Sequence, residues 1–163
     1  QVEFENKKIG PKELITIDNL SDWTKWSNKK AKFYSGAVTY KTSFTLDTIP
    51  KGEIFINLGN IGVMAEVKIN GKKIGGVWIS PFRLNTEDLV KSGDNYLEVK
   101  VVNLWRNRII GDKRLPTDKR FTWTVFDDVS EDELLQPSGL LGPVTFETYI
   151  SKDELKANTL YSK

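Results

Sequence analysis

Between Asn103 and Asp112 the chain sets an aromatic ring, two guanidinium groups, two side-chain amides and a carboxylate within ten positions, Asn103-Leu104-Trp105-Arg106-Asn107-Arg108-Ile109-Ile110-Gly111-Asp112. That mixture suits a sugar. The apolar face of a pyranose stacks on an aromatic ring, and planar amide, guanidinium and carboxylate groups meet ring hydroxyls with paired hydrogen bonds. Trp105 is the stacking candidate here, and Arg106, Asn107, Arg108 and Asp112 are the hydroxyl-facing ones. Trp78, between Gly75-Gly76 and Pro81, and Trp123, within Arg120-Phe121-Thr122-Trp123-Thr124, are further aromatic candidates. A plainer reading of the same residues has Trp105 plugging the core, Arg106 or Arg108 paired with Asp112, and Trp123 inside a strand.

The acidic run Asp127-Asp128-Val129-Ser130-Glu131-Asp132-Glu133 admits a paired-carboxylate glycosidase or an oxygen-ligated calcium ion. Neither has support from spacing. The run lacks calcium-loop periodicity, and no apolar wall surrounds one carboxylate to raise its pKa. Ser130 and Glu133 spell a helix-capping box, which accounts for the acids as first-turn residues. Ser138-Gly139-Leu140-Leu141-Gly142-Pro143 offers a serine without an activating base and a glycine-rich loop without the P-loop lysine. It reads as a turn into the last strand.

Composition closes off whole classes of chemistry. The chain contains no His and no Cys. Ser-His-Asp and Cys-His nucleophiles are therefore excluded, as are thiolate and imidazole zinc sites, and there is no disulfide framework. Lys and Arg number 24 against 22 Asp and Glu, a formal charge of +2 with the basic residues dispersed. Nothing in that balance calls for nucleic acid. No apolar run approaches the roughly 20 residues that span a bilayer, and Gln1-Val2-Glu3-Phe4 lacks the basic and apolar regions of a signal peptide. The expectation is a soluble piece of something longer.

The elements that must carry these residues are strands. Val38, Tyr40, Thr42, Phe44 and Leu46 alternate with polar residues, and so do Ile54-Ile56-Leu58, Val63-Ala65-Val67-Ile69, Leu97-Val99-Val101 and Val144-Phe146-Thr148-Ile150, with a weaker run over residues 14–17. Asn70-Gly71 fits a type I′ hairpin turn. About seven short strands without a long amphipathic helix predict an all-β antiparallel two-sheet sandwich. One or two helical turns are expected, at residues 86–89 and 130–135. At 163 residues the chain is one domain, with its core over about 13–150 and a terminal tail at 151–163. The irregular stretch from Asn103 to Pro143 is where function is expected.

The strings SGAVTYKTSF (35–44), INLGNIGVMAEVKINGKKIGGVWISPFRLN (56–85), NYLEVKVVNLWRNRIIGD (95–112) and PSGLLGPVTF (137–146) together resemble a known family. It is the galactose-binding-like jelly roll called the sugar-binding domain of family 2 glycoside hydrolases, nearest to the version appended to family 106 rhamnosidase-like enzymes. The resemblance implies a two-sheet jelly roll joined to a separate catalytic domain. It implies polysaccharide degradation, secretion to a bacterial periplasm or cell surface, and α-L-rhamnoside or related glycans as substrates of the parent enzyme. The module itself is then a non-catalytic carbohydrate binder, or else a structural one that packs on the catalytic domain and binds no free sugar. No cofactor is implied, save that modules of this superfold sometimes hold a structural calcium, for which Asp18, Asp22 and Asn28 are the candidates.

Overall fold

A computed structural model describes residues 1–125 and 128–150. Its larger sheet runs in the order β1 (Val2–Phe4), β2 (Ala37–Leu46), β8 (Gly93–Val102), β5 (Met64–Ile69), β6 (Lys72–Val77). The smaller sheet is ordered β10 (Thr145–Tyr149), β3 (Glu53–Asn57), β7 (Arg83–Asn85), and a short ribbon pairs β4 (Asn60–Ile61) with β9 (Leu140–Gly142). All these pairings are antiparallel.

Alternation works as period-two geometry requires. Val38, Val67, Ile69, Val99 and Val101 of the larger sheet and Ile56 of the smaller one are fully buried between the layers. Each such side chain contributes about 1.5–3 kcal/mol relative to exposure. Phe44 of β2 meets Phe146 of β10 across the gap, ring centroids 4.8 Å apart. Asn70 and Gly71, at φ 50° and 81°, turn β5 into β6 as the dipeptide predicts.

The core begins earlier than residue 13. Val2 and Phe4 of β1 are fully buried, and Phe4 packs on Trp23 and Tyr34 with ring centroids 5.5 Å and 4.8 Å away. Three residues are too few to display a period, so the strand does not announce itself in sequence. The weak run at 14–17 forms a single bridge, Ile15 to Val2, instead of a strand.

Helix occurs elsewhere than expected. Residues 86–89 form a turn in which Glu87 and Asp88 take φ of 50° and 57°, outside the right-handed helical region. Around Ser130 the capping hydrogen bonds form, Ser130 N–H to Glu133 Oε1 at 2.9 Å and Asp132 N–H to Ser130 Oγ at 3.3 Å, but the turn does not propagate. Among the described residues the helices are α1 (Lys29–Lys32), α2 (Arg106–Lys113) and 3-10 turns at Trp23–Lys25 and Thr117–Lys119. Residues 151–163, expected to be a tail, lie outside the described residues.

Register places the loops that follow from this at one rim. Ala37 and Met64 both face Val102, and Ala65 faces Val77, so β2 and β5 start where β8 and β6 end. The segments before Ala37, after Val77 and after Val102 therefore emerge together.

Candidate functional site

Immediately after β8, Asn103 turns its side chain inward. Its Oδ1 accepts from Gly36 N–H at 2.9 Å, and its Nδ2 donates to Ser138 Oγ at 3.0 Å and Tyr34 O at 3.2 Å. Asn107, the second residue of α2, repeats the pattern. Its Nδ2 reaches Gln136 O at 2.7 Å and Ser138 Oγ at 3.1 Å, and Gln136 N–H returns to its Oδ1 at 2.8 Å. Ser138 N–H donates to Asp22 Oδ1 at 3.1 Å, and Ser138 O accepts from Trp23 N–H at 3.2 Å. Ser138 is thus a clasp between three loops. Asp22, Asn103 and Ser138 were not legible as partners, because the residues lie 35 to 116 positions apart.

Helix α2 forms without the local signals for it. Trp105 occupies the N-cap position and supplies no capping bond, while Ile109, Ile110 and Gly111 lower the propensity. Tertiary anchors substitute: Arg108 N–H bonds Ser35 Oγ at 3.2 Å, and Ile110 is fully buried.

Of the residues singled out in 103–112, the fold divides those facing solvent from those used internally. Arg108 Nη2 lies 2.9 Å from Asp112 Oδ1, with both groups buried. Burial lowers the pKa of the Arg108 guanidinium, and the Asp112 charge and hydrogen bond act in the opposite direction. Asp112 Oδ2 accepts from Phe121 N–H at 3.1 Å, Thr122 N–H at 2.8 Å and Thr122 Oγ1 at 2.6 Å. Arg106 pairs through Nε (3.0 Å) and Nη2 (2.7 Å) with Glu133 Oε2. The Glu133 carboxyl is held below its ordinary pKa by the Ser130 N–H first and by Arg106 second. Asn107, Arg108 and Asp112 therefore brace the loops, and Arg106 ties α2 to the acidic turn.

The three tryptophans face outward. Trp105 is 53% exposed, Trp78 68% and Trp123 85%, so Trp105 does not plug the core and Trp123 is not in a strand. Trp123 borders a depression of about 500 Å³ between α2 and the 117–124 segment, together with Lys113, Thr117, Arg120, Thr122 and Thr124, and with Asp112 and Ile109 in its wall. The Asp112 clamp on Phe121 and Thr122 sets the backbone that presents Trp123. Arg120 Nε is anchored to Leu115 O at 3.2 Å. An aromatic plane, two cationic groups and hydroxyls thus surround one open hollow.

Asp22 and Asn28 have structural employment. Asp22 Oδ1 caps the first 3-10 turn through Thr24 N–H (3.0 Å) and Thr24 Oγ1 (2.8 Å), and Asn28 Oδ1 caps α1 through Lys30 and Ala31 N–H. Asp18 and Asn28 line a shallow hollow near Trp26. Asp127 lies outside the described residues.

No family model matches the sequence. It is 37% identical over 176 aligned positions to a putative beta-glucuronidase of Formosa agariphila, a match taking in 87% of this chain and 15% of that protein. A rhamnosidase from Novosphingobium sp. PP1Y superposes with a TM-score of 0.79 at 34% identity, over 89% of this chain and 14% of that one. The chain is similar to one small part of large glycoside hydrolases. A beta-glucuronidase of Ruminococcus gnavus, at 23% identity and a TM-score of 0.52 over 63% of this chain, shares the fold. The all-β sandwich expected from alternation is thereby also the architecture of pieces of such enzymes.

Proposed function

We propose that this chain is a non-catalytic carbohydrate-binding module of a larger, rhamnosidase-like glycoside hydrolase, a jelly roll of the galactose-binding kind whose sugar contact is the hollow beneath Trp123. The observation that carries the reading is the exposed Trp123 ring at the edge of a 500 Å³ depression that also presents Lys113, Arg120 and threonine hydroxyls. Stacking on the ring supplies apolar area, and the polar groups supply orientation. Net affinity is modest, because hydroxyls exchange water hydrogen bonds for protein ones at about 0.5–1.5 kcal/mol each. On this reading the acid and base of hydrolysis belong to another domain, and the parent enzyme works on complex glycans outside the bacterial cytoplasm.

Titration calorimetry against rhamnose- and galactose-containing plant polymers tests the proposal. Heat is expected with at least one polymer, and Trp123→Ala is expected to abolish it while shifting stability by no more than about 0.5 kcal/mol, as for an exposed residue. Absence of heat with every polymer would overturn sugar binding.

A second reading has its own observation. Trp78, Ile79, Leu104 and Trp105 are exposed on two loops leaving the same rim, an apolar array of the kind that packs on a neighbouring domain. If sugar heat is absent and addition of the parent catalytic domain buries Trp78 and Trp105 fluorescence, interdomain packing is the function.

A further inference from the structure

The hollow under Trp123 has three charged residues in its lining, Asp112, Lys113 and Arg120. Asp112 is already engaged. One of its carboxylate oxygens takes donors from Phe121 and Thr122 and the other faces Arg108, so the negative charge in the wall is balanced from within the fold. The Arg108 guanidinium also lies 5.3 Å from the ring centroid of Phe121, another wall of the hollow, which puts positive charge behind that ring.

Arg120 stands differently. It is exposed just after the 3-10 turn Thr117–Lys119, in extended backbone at φ −72° and ψ 145°, and its Nε donates to Leu115 O at 3.2 Å. That bond orients the guanidinium and uses only one of its nitrogens. Among the described residues neither terminal nitrogen makes a hydrogen bond and no carboxylate pairs with the group. Three positions on, Trp123 borders the same hollow, its Cα at most about 11 Å of chain away. A pyranose stacked on that ring displaces water from the guanidinium. Stripping water from a charge is costly unless an opposite charge replaces it, and the arginine fork meets an oxyanion with two parallel bonds.

We infer that the hollow selects an acidic sugar: the ring stacked on Trp123 carries an anionic group whose oxygens are held by the two terminal nitrogens of Arg120. The inference rests on Trp123 being the sugar contact and adds the charge of the ligand to it. A neutral sugar offers Arg120 hydroxyl lone pairs but no counter-charge. The anion is a uronate carboxylate or a sulfate ester, two sources of the same oxyanion chemistry.

Titration calorimetry with pairs of oligosaccharides that differ only in charge tests the inference. A galacturonate trimer is compared with its methyl ester, and a sulfated galactose trimer with its desulfated form. In at least one pair the acidic member is expected to bind at least about tenfold more tightly, since a charge-assisted hydrogen bond is roughly twice as strong as a neutral one. Which pair shows the preference assigns the anion. The preference is expected to shrink as salt rises from about 0.05 to 0.5 M. Arg120→Gln is expected to remove it, and Arg120→Lys, which keeps the charge without the fork, to restore only part. Lys72→Gln takes one charge from the exposed start of β6, at the β5–β6 turn, and is expected to leave binding unchanged.

Equal loss from Arg120→Gln and Lys72→Gln would overturn the inference in favour of general charge attraction. Equal binding within both pairs, still abolished by Trp123→Ala, would overturn acidic selection while sugar binding at Trp123 stands. So would heat with neutral polymers alone. Tight binding of an acidic member that survives Trp123→Ala would overturn both this inference and the reading it rests on.

Discussion

Asp112 is 2% exposed and carries the loop that displays Trp123 on one carboxylate oxygen and the Arg108 guanidinium on the other. Its replacement strands both. Asp112→Asn leaves the buried Arg108 charge without its counter-ion and is expected to cost about 3 kcal/mol or more in urea unfolding, since removing one member of a buried pair costs about 3–5 kcal/mol. In sequence, Asp112 had only its four-residue spacing from Arg108 to suggest a partner, and the pair was one of two readings. What sequence could not supply were the Phe121 and Thr122 main-chain N–H groups as further partners, because a main-chain N–H has no residue-type signature. The same limit separates Trp105 and Trp123 from Trp23. Trp23 and Trp123 both have polar neighbours in sequence and Trp105 stands between Leu104 and Arg106, and only the packed Phe4 and Tyr34 rings distinguish the buried one.

At the scale of elements, alternation identified the strands that have room to alternate. β2 and β8, each of ten residues, and the β5–β6 hairpin were legible because one face of each is buried. The three-residue β1, β7 and β9 and the two-residue β4 were not, since their identity lies in their partners. Helix α2 shows the converse, a helix formed by anchoring rather than by propensity. Residues 138–143 read in sequence as a turn into the last strand, whereas Leu140–Gly142 form β9 ahead of the last strand, and Gly139 at its start has a steric reason to be glycine. Gly139 has φ +115°, and a Cβ there would lie 2.7 Å from Tyr40 Oη and 2.9 Å from Trp23 Cε3. Gly139→Ala therefore combines backbone strain with overpacking against the core, and a loss of at least about 2 kcal/mol is expected by thermal or urea unfolding. Gly71→Ala, in open space at φ +81°, is expected to lose less, from the turn conformation alone.

At the scale of the whole molecule, the groups with shifted pKa values make stability depend on pH at both the acid and the alkaline end. Glu3, Glu66, Glu133 and Glu147 are held below the ordinary carboxylate value, chiefly by Lys41, Lys73, the Ser130 N–H and the Asn57 amide respectively. All four are solvated surface groups. What they contribute is present above the ordinary carboxylate range, fades as pH falls below it, and is small. Tyr40 differs: burial pushes its hydroxyl up to about 12, against the opposing hydrogen bond from Leu140 N–H at 3.2 Å. The folded state holds that proton more tightly than the unfolded chain does, so its contribution is intact below pH 10 and is lost as pH rises toward 12. Two pKa units correspond to about 2–3 kcal/mol. Urea unfolding measured from pH 9 to 12 is expected to show that decline, and Tyr40→Phe is expected to flatten it; an unchanged slope would assign the decline to other groups, such as the Tyr34 hydroxyl, whose pKa burial also raises.

The Ser138 clasp has a consequence in time. Its partners Asp22 and Asn103 belong to stretches synthesised well before it, and the Asp22 contact closes a loop of 116 positions. Loop closures of that span come late, because their entropy must be met before their contacts form. While the ribosome is still making residues 104–137, β2, β5, β6 and β8 already exist to collapse on one another, but the loops of the rim have nothing to fasten them. The loops of that rim are therefore fastened only once residue 138 has been made.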